Sequence, residues 1–459
     1  MMGMKKLSIK DIAEFCGAQT ALTGEISRIS TDSRDIDENT LFVALVGERF
    51  DAHDFVDDVL RKGVAAVVCS KHMGDDERII YVQDTGKALL DIAHGYRKLF
   101  NIPFIGLTGS VGKTTSKGMI YSVVKQKFNT HRTAGNLNNE IGVPKTLFGL
   151  EECHEAAVIE MGMNHFGEIS RLSKAVEPTI AVITNVGTAH IENLGSREGI
   201  LKAKCEILDG MKKGSTLIVN ADNDMLATVE ADGFELIRFG IEGNNLQMKA
   251  VDIVADETGS RFKAVYGDEE AEVYVPAVGI HNVYNALCAM CVGEKLGYTL
   301  SEAALGIADF EAEGMRQKLT QFNEMIFIED CYNANPDSMK ASLEALKTIK
   351  KSRSFAVLGD MLELGEYSEA AHREVGKKAA QTGCEYVLTY GELSKYIADE
   401  AKKCGCKAEN YGSKEEITEF LFENMREGDV VLFKGSRGMK MEEIFLSLYK
   451  KMGYNPDNT

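Results

Sequence analysis

Lys113 and Thr114 stand where chemistry on a phosphate needs a cation and a hydroxyl. They belong to the run Phe104-Ile-Gly-Leu-Thr-Gly-Ser-Val-Gly-Lys-Thr-Thr115, which reads as a short apolar strand, a glycine turn and the opening of a helix. The loop proper is Thr108, Gly109, Ser110, Val111, Gly112, Lys113, Thr114 and Thr115. Glycine at 109 and 112 lets backbone N–H groups face an anion that a Cβ would crowd. Lys113 supplies a point charge for β- and γ-phosphates, and the Thr114 hydroxyl suits Mg²⁺. The loop is shorter than the common phosphate loop, whose first glycine would fall at position 107, occupied here by leucine. The plainer alternative is an ordinary strand-to-helix turn. The strand before it and the helix after it favour a site for a nucleoside triphosphate.

Further candidates follow other strand ends, where open α/β sheets bind ligands. Glu160 closes the apolar run Ala156–Glu160, and a carboxylate there is a hard oxygen ligand for Mg²⁺ or else a solvated strand end. Asn138 lies in the glycine- and asparagine-rich stretch Gly135-Asn-Leu-Asn-Asn-Glu140 and is a candidate for the nucleotide. His190 ends Asn185-Val-Gly-Thr-Ala-His190 after the strand Thr179–Thr184; it reads as a metal ligand or a hydrogen-bonded turn residue. Lys204, on the helical stretch Arg197–Leu208, reads as a surface lysine. Asn282 and Asn285 share a helix face and suit a purine edge, or one N-cap and one polar contact. Nearer the N-terminus, Thr31, Ser33 and Arg34 follow a strand and suit a diphosphate or a sugar hydroxyl, or form a polar turn; the stretch from Gly47 through Asp51 to His53 comes next. Nearer the C-terminus, Asp330, Asn333 and Asn335 precede Pro336, Asp360 follows Leu358, and Lys434-Gly-Ser-Arg437 follows a strand, with Ser436 and Arg437 beside the lysine. Asn335 before Pro336 is also a good helix N-cap.

These residues need a scaffold, and the patterning supplies three units, at 1–100, 101–312 and 313–459. The first mixes a helix at Leu7–Cys16, strand-like runs at Glu25–Ser30, Leu41–Val46, Ala65–Cys69 and Ile79–Gln83, and a helix at Thr85–Phe100. The boundary falls at Asn101-Ile-Pro103. The second unit carries the phosphate loop and a later strand meander, Leu236 to Val275. The third alternates strand and helix from Met325 to Lys450, a βαβ series that predicts a parallel sheet covered on both faces. Residues Asn455–Thr459 read as disordered.

Composition narrows the function. A net charge of −18 argues against nucleic acid and acidic membrane as partners, since both need a basic surface. The ten cysteines show no zinc-type spacing. No signal peptide is visible and no apolar run approaches a membrane span, so a cytoplasmic chain without membrane insertion is expected.

The motifs taken together resemble the Mur ligases, ATP-dependent amide-bond formers of cell-wall precursor synthesis. The resemblance rests on Thr108 to Thr115, Gly135 to Glu140, Glu160-Met-Gly162, Asn185 to His190, Gly279-x-His-Asn282 and Asn333-Ala-Asn-Pro-Asp-Ser338, and covers essentially the whole chain. It implies an α/β fold of three domains: an N-terminal UDP-sugar domain, a central P-loop ATPase domain with a parallel sheet, and a C-terminal Rossmann-like domain. Thr31-Asp-Ser-Arg34, Asp51 to Phe55, Leu358 to Gly365 and Lys434 to Gly438 are most similar to members that join D-alanyl-D-alanine to UDP-N-acetylmuramoyl tripeptide through an acyl phosphate. Ala52 and Cys331 depart from that subgroup, which has glycine and alanine there.

By the same resemblance Thr114 and Glu160 hold one Mg²⁺ and His190 a second. Lys204 matches the position of a carbamylated lysine that supplies a carboxylate. Asn282 would contact adenine, and Arg316 and Asp330 the nucleotide from across a cleft. Thr31, Ser33, Arg34, Gly47, Asp51 and His53 would serve the UDP-sugar; Asp360, Lys434, Ser436 and Arg437 the amine. A monomer acting on small molecules in peptidoglycan synthesis is implied. Folylpolyglutamate synthase is disfavoured by the organised first hundred residues. A GTPase switch is disfavoured by the lack of an Asn-Lys-x-Asp motif. A catalytically dead binding module is disfavoured by the intact Lys113, Thr114, Glu160 and His190.

Overall fold

The computed structural model describes residues 3–47 and 50–454, so Glu48, Arg49 and the expected disorder at Asn455–Thr459 lie outside the described residues. Three main sheets carry the chain. The first has four parallel strands in chain order, Arg28–Ser30, Thr40–Val43, Ala66–Cys69 and Ile79–Tyr81. Leu7–Ser8 and Glu25–Ile26 form a small antiparallel pair beside it.

The middle sheet has nine strands. Across it run Glu269–Val275, Ser260–Tyr266, Met248–Ala255, Glu235–Gly240, Thr216–Asn220, Ile180–Ile183, Phe104–Thr108, Ala156–Glu160 and Thr130–Arg132. The two strands from Ser260 to Val275 close the expected meander in antiparallel fashion; the rest are parallel. Phe104–Thr108, Ala156–Glu160, Ile180–Ile183 and Thr216–Asn220 are buried at every position, as strands covered on both faces must be. The third sheet runs Lys318–Phe322, Met325–Asp330, Val430–Lys434, Ser354–Gly359, Tyr386–Tyr390, Lys407–Tyr411, with only the first pair antiparallel.

The helix Thr85–Arg97 joins the first sheet to the second rather than merely preceding it. It packs on Gly142–Phe148 and Glu168–Val176, and its apolar face merges with the middle core. Tyr96 donates to Leu150 O at 2.7 Å, Arg97 Nε donates to Val176 O at 2.6 Å, and the guanidinium lies 4.0 Å over the Phe104 ring. Helix Lys113–Val124 packs against Ile280–Lys295, which brings the Asn282–Asn285 face to the phosphate loop. No helix among the described residues is long and apolar enough to cross a membrane.

Candidate active site

Strand Phe104–Thr108 sits in the middle of its sheet, so the loop that follows opens at the carboxyl edge between neighbouring strands. Gly112 is the N-cap of Lys113–Val124 with φ +82°, a left-handed conformation that L side chains avoid. A Cβ on Gly109 would lie 1.9 Å from Thr184 Oγ1, so here the close approach is by a protein side chain. Asn185 Oδ1 accepts from the N–H groups of Ser110 and Val111, both at 2.9 Å, a carbonyl oxygen where the loop offers donors. Lys113, half-buried, donates to Gly109 O at 2.8 Å and makes no ion pair among the described residues. Burial pushes its pKa down; Glu160 opposes this and the nearby Arg316 adds to it. Thr115 is half-buried in the same turn, and the hydroxyl of Thr108 is buried without a hydrogen-bond partner.

Glu160 is buried at the end of the next strand. Its Oε2 accepts from Thr114 Oγ1 at 2.9 Å and its Oε1 from Asn138 Nδ2 at 2.8 Å, so the structure brings Thr114, Asn138 and Glu160 together. Lys204 is no surface residue: it is 2 % exposed, on the buried stripe Ile200, Ala203, Lys204 and Ile207. Its ammonium has no hydrogen bond or ion pair among the described residues. Burial and then the charge of Lys113 hold its pKa well below the ordinary lysine value. His190, with φ +62°, points its buried Nδ1 to 3.2 Å from Glu363 Oε2, off hydrogen-bonding geometry. Glu363 belongs to the third unit, as does Asp337, whose Oδ2 accepts from Thr188 N at 3.0 Å. Both acids dock on the loop that carries His190.

On the helix packed against Lys113–Val124, Asn282 and Asn285 do share a face, and it is turned inward. Asn285 Oδ1 accepts from Ser116 Oγ at 2.9 Å, Asn285 Nδ2 donates to Asn282 Oδ1 at 3.1 Å, and Asn282 Nδ2 donates to Val278 O at 2.9 Å. Gln317, which no pattern singled out, accepts from Asn282 Nδ2 at 3.3 Å and contacts His281 Nε2 at 2.9 Å. The Arg316 guanidinium lies 3.6 Å over the Tyr332 ring. Asp330 and Lys434 form a buried ion pair at 2.6 Å, and Ser342 Oγ donates to the same Asp330 oxygen at 2.6 Å. Asn333 is exposed and its side chain accepts from Ala334 N. Asn335 caps Pro336–Ile349 in a capping box with Ser338. Asp360 accepts from Ser394 N at 2.7 Å, Ser436 Oγ accepts from Leu362 N at 2.9 Å, and the exposed Arg437 pairs with Glu442 at 2.7 Å. Asp360 and Ser436 are therefore knit into the third unit's loops, while Arg437 stays on the surface.

The first sheet gathers its own candidates at its carboxyl edge. Arg34 and Asp32 pair through two hydrogen bonds, at 2.9 and 2.7 Å, and Arg34 holds the Asp32 carboxyl well below the usual range. Ser33 O accepts from Lys62 Nζ at 2.9 Å, Thr31 is half-buried, and Gly47 N donates to Phe50 O at 2.9 Å. Asp51 meets His53 Nδ1 at 2.6 Å and pairs with Lys71; His53, almost fully buried, accepts from Ser70 N at 2.9 Å through Nε2. Ser70 and Lys71 were not legible as partners, because they sit after a different strand.

The middle edge thus offers the start of helix Lys113–Val124, two cations, Lys113 and Lys204, without carboxylate partners among the described residues, and one buried carboxylate, an arrangement fit for a polyanion. Lys117, also unread in the sequence, is fully buried on the stripe with Thr114 and Ile120, a helical spacing that could have revealed it.

Comparison with known proteins gives concordant results. The model described as "Mur ligase family, catalytic domain" matches residues 25–97, "Mur ligase middle domain" matches 107–293, and "Mur ligase, glutamate ligase domain" matches 315–437. The chain is 38% identical to the UDP-N-acetylmuramoyl-tripeptide–D-alanyl-D-alanine ligase of Bacillus subtilis (strain 168), covering 97% of this chain and 99% of that one. It is 37% identical to the Escherichia coli (strain K12) protein of the same name, over 92% and 94%. Among solved structures it is similar to MurF from Acinetobacter baumannii, with TM-score 0.91, 31% identity and coverage of 97% and 99%. The MurF ligase of Thermotoga maritima in complex with ADP gives TM-score 0.85 and 29% identity, over 93% and 98%.

Proposed function

The chain belongs to the Mur ligase family, and from that premise we propose that it joins D-alanyl-D-alanine to UDP-N-acetylmuramoyl tripeptide with hydrolysis of ATP to ADP and phosphate. The product is the UDP-muramoyl pentapeptide of peptidoglycan synthesis. The observation that carries the reading is the cluster of Lys113, Thr114, Asn138 and Glu160 at one sheet edge, in a chain similar to such ligases over nearly its full length. Residues 1–100 would take the UDP-sugar, 101–312 the ATP, and 313–459 the amine. The enzyme would act as a monomer in the cytoplasm, where its nucleotide substrates are made.

The chemical problem is a carboxylate, a poor electrophile because oxide does not leave. Phosphorylation by the γ-phosphate turns that oxygen into a phosphate leaving group, and the dipeptide amine then attacks the acyl phosphate. Two anions must first approach one another. Lys113 and Arg316 would lower that barrier by neutralising charge, with the triphosphate at the start of helix Lys113–Val124. Asp337 and Glu363, reaching the His190 loop from the third unit, bring the two halves of the site together, which excludes water and supplies proximity.

Mg²⁺ would fit this site as an ion shared between protein oxygens and the substrate's phosphates. Thr114 and Glu160 offer hard oxygens and His190 a buried nitrogen without a hydrogen bond. Among the described residues no three His, Cys, Asp or Glu side chains converge to hold a metal alone, so an ion here would need substrate phosphates and waters to complete its ligands. When bound, the ions would neutralise the triphosphate and align its transfer. Lys204 as an ammonium would repel them. As a carbamate it becomes an anion, and an unpaired buried lysine beside Lys113 has reason to lose its charge.

The test is phosphate release from ATP in the presence of the UDP-muramoyl tripeptide, of D-alanyl-D-alanine, and of both. Release only with both is expected; release that ignores the dipeptide would sink the assignment.

A further inference from the structure

One buried cation has no part in that scheme. Lys117 lies one helical turn beyond Lys113 and is fully buried. An ammonium in an interior is costly unless paired and hydrogen-bonded. Its Nζ donates to Gly135 O at 3.1 Å and lies 3.4 Å from Glu313 Oε2 and 3.8 Å from Glu160 Oε2. Arg132 meets the other Glu313 oxygen at 2.5 Å, so Lys117, Arg132, Glu160 and Glu313 balance in charge.

Each anchor leads to a different part of the site. Gly135 opens the loop whose Asn138 holds Glu160 Oε1. Glu160 is the carboxylate beside Thr114. Glu313 lies in the linker between helix Leu300–Ala308 and strand Lys318–Phe322, just before Arg316. A buried ion pair that serves folding alone can be replaced, both partners together, by apolar residues at little cost. Here Glu160 must stay a carboxylate for the chemistry, so its cation cannot be dispensed with in that way.

Resting on the ligase reading, we propose that Lys117 is a positioning residue of the reaction: it holds Glu160 and the Gly135–Asn138 loop at the phosphate site and ties both to the linker through Glu313. Without it the carboxylate keeps its charge but loses one of the contacts that fix its direction. The linker residue Arg316 would also lose its register against Lys113.

The test compares the full-length variants K117M, K117R and E313Q with the unsubstituted enzyme. Ligation with both acceptors gives kcat and KM, and calorimetry with ADP, with and without Mg²⁺, reads the site without turnover. For K117M, kcat should fall about 100-fold, the loss a misplacement of about 1 Å can cause, with the tripeptide KM little changed. The gain in ADP affinity that Mg²⁺ brings should shrink in parallel. K117R should recover part of both losses, since it keeps the charge in a different shape. E313Q should lower kcat about tenfold, the worth of one charge-assisted contact. If K117M does not fold, E313Q, at a partly exposed site, decides. A fall in kcat or in the Mg²⁺-dependent affinity in a folded variant supports the proposal. No change in either overturns it, even if the melting temperature drops. Should the unsubstituted enzyme release no phosphate with both acceptors, the ligase reading fails instead, and ADP calorimetry still decides the role of Lys117.

Discussion

The carboxyl edges of the middle and third sheets hold the same kinds of residue and treat their charges in opposite ways. On the third sheet, the buried Lys434 is neutralised by Asp330 at 2.6 Å, and Ser342 completes the acid's hydrogen bonding. On the middle sheet, among the described residues, Lys204 has no partner and Lys113 meets only a carbonyl of its own loop. Both sheets therefore bury lysine, but where Lys434 and Lys117 have acidic partners, Lys113 and Lys204 have none among the described residues. A cation neutralised from within orients the protein around it. A cation left unneutralised is poised for an anion that the chain does not carry, and the depressed pKa values of Lys113 and Lys204 are the cost of keeping them so.

The largest expected effect falls on the unneutralised side. Lys113→Ala should lower kcat about 1000-fold, as loss of a charge-stabilising group in a dry site does, while the melting temperature stays or rises. Near-normal turnover would break the contrast, because the loop lysine would then be a bystander. The neutralised side should answer in stability instead. Asp330→Asn leaves the Lys434 ammonium buried and unpaired, which costs about 3 kcal/mol or more in urea denaturation. If Asp330→Asn melts like the unsubstituted protein, the pair is not what holds that edge. Lys204→Ala should cost about 100-fold in rate, and short-chain carboxylic acids should restore part of it if an anion belongs at that position. Full activity of the alanine variant would remove the carbamate and with it half of the contrast.

The parts of the site that were legible are the local ones. The phosphate loop, Glu160 at a strand end, and the helix Pro336–Ile349 with its Asn-Pro start all announce themselves within a few residues. What was not legible depends on tertiary neighbours or on weak local patterns. Lys204 reads as a surface lysine until Ile200, Ala203 and Ile207 are seen on the same buried stripe. Three unread strands, Thr130–Arg132, Lys318–Phe322 and Lys407–Tyr411, all lie at sheet edges, where polar residues blunt the alternation that betrays a strand. Helices also went unread, Val56–Arg61, Ile191–Leu194, Glu168–Val176 and Leu300–Ala308, although Thr299 and Glu302 form a capping box at the start of the last. Ser70 and Lys71 meet Asp51 and His53 only because their strands are adjacent in the sheet.

The smallest effect sharpens the contrast most, because it asks whether a residue that reads both ways is scaffold or site. Asn335 accepts from Ser338 N at 2.9 Å, and Ser338 Oγ in turn accepts from Asn335 N at 3.0 Å. A cap of this kind is worth about 1 kcal/mol, so Asn335→Ala should lower stability by that amount in denaturant titration. Asn335→Asp should restore it, since a carboxylate caps equally well and favours a helix N-terminus. The two variants then separate the roles. If Asn335 serves the helix alone, the aspartate variant regains its stability and its KM for ATP together. If the amide also touches the nucleotide, stability returns but KM stays raised, because an acid placed against a triphosphate repels it. The second outcome would move Asn335 to the side of the molecule that waits for an anion.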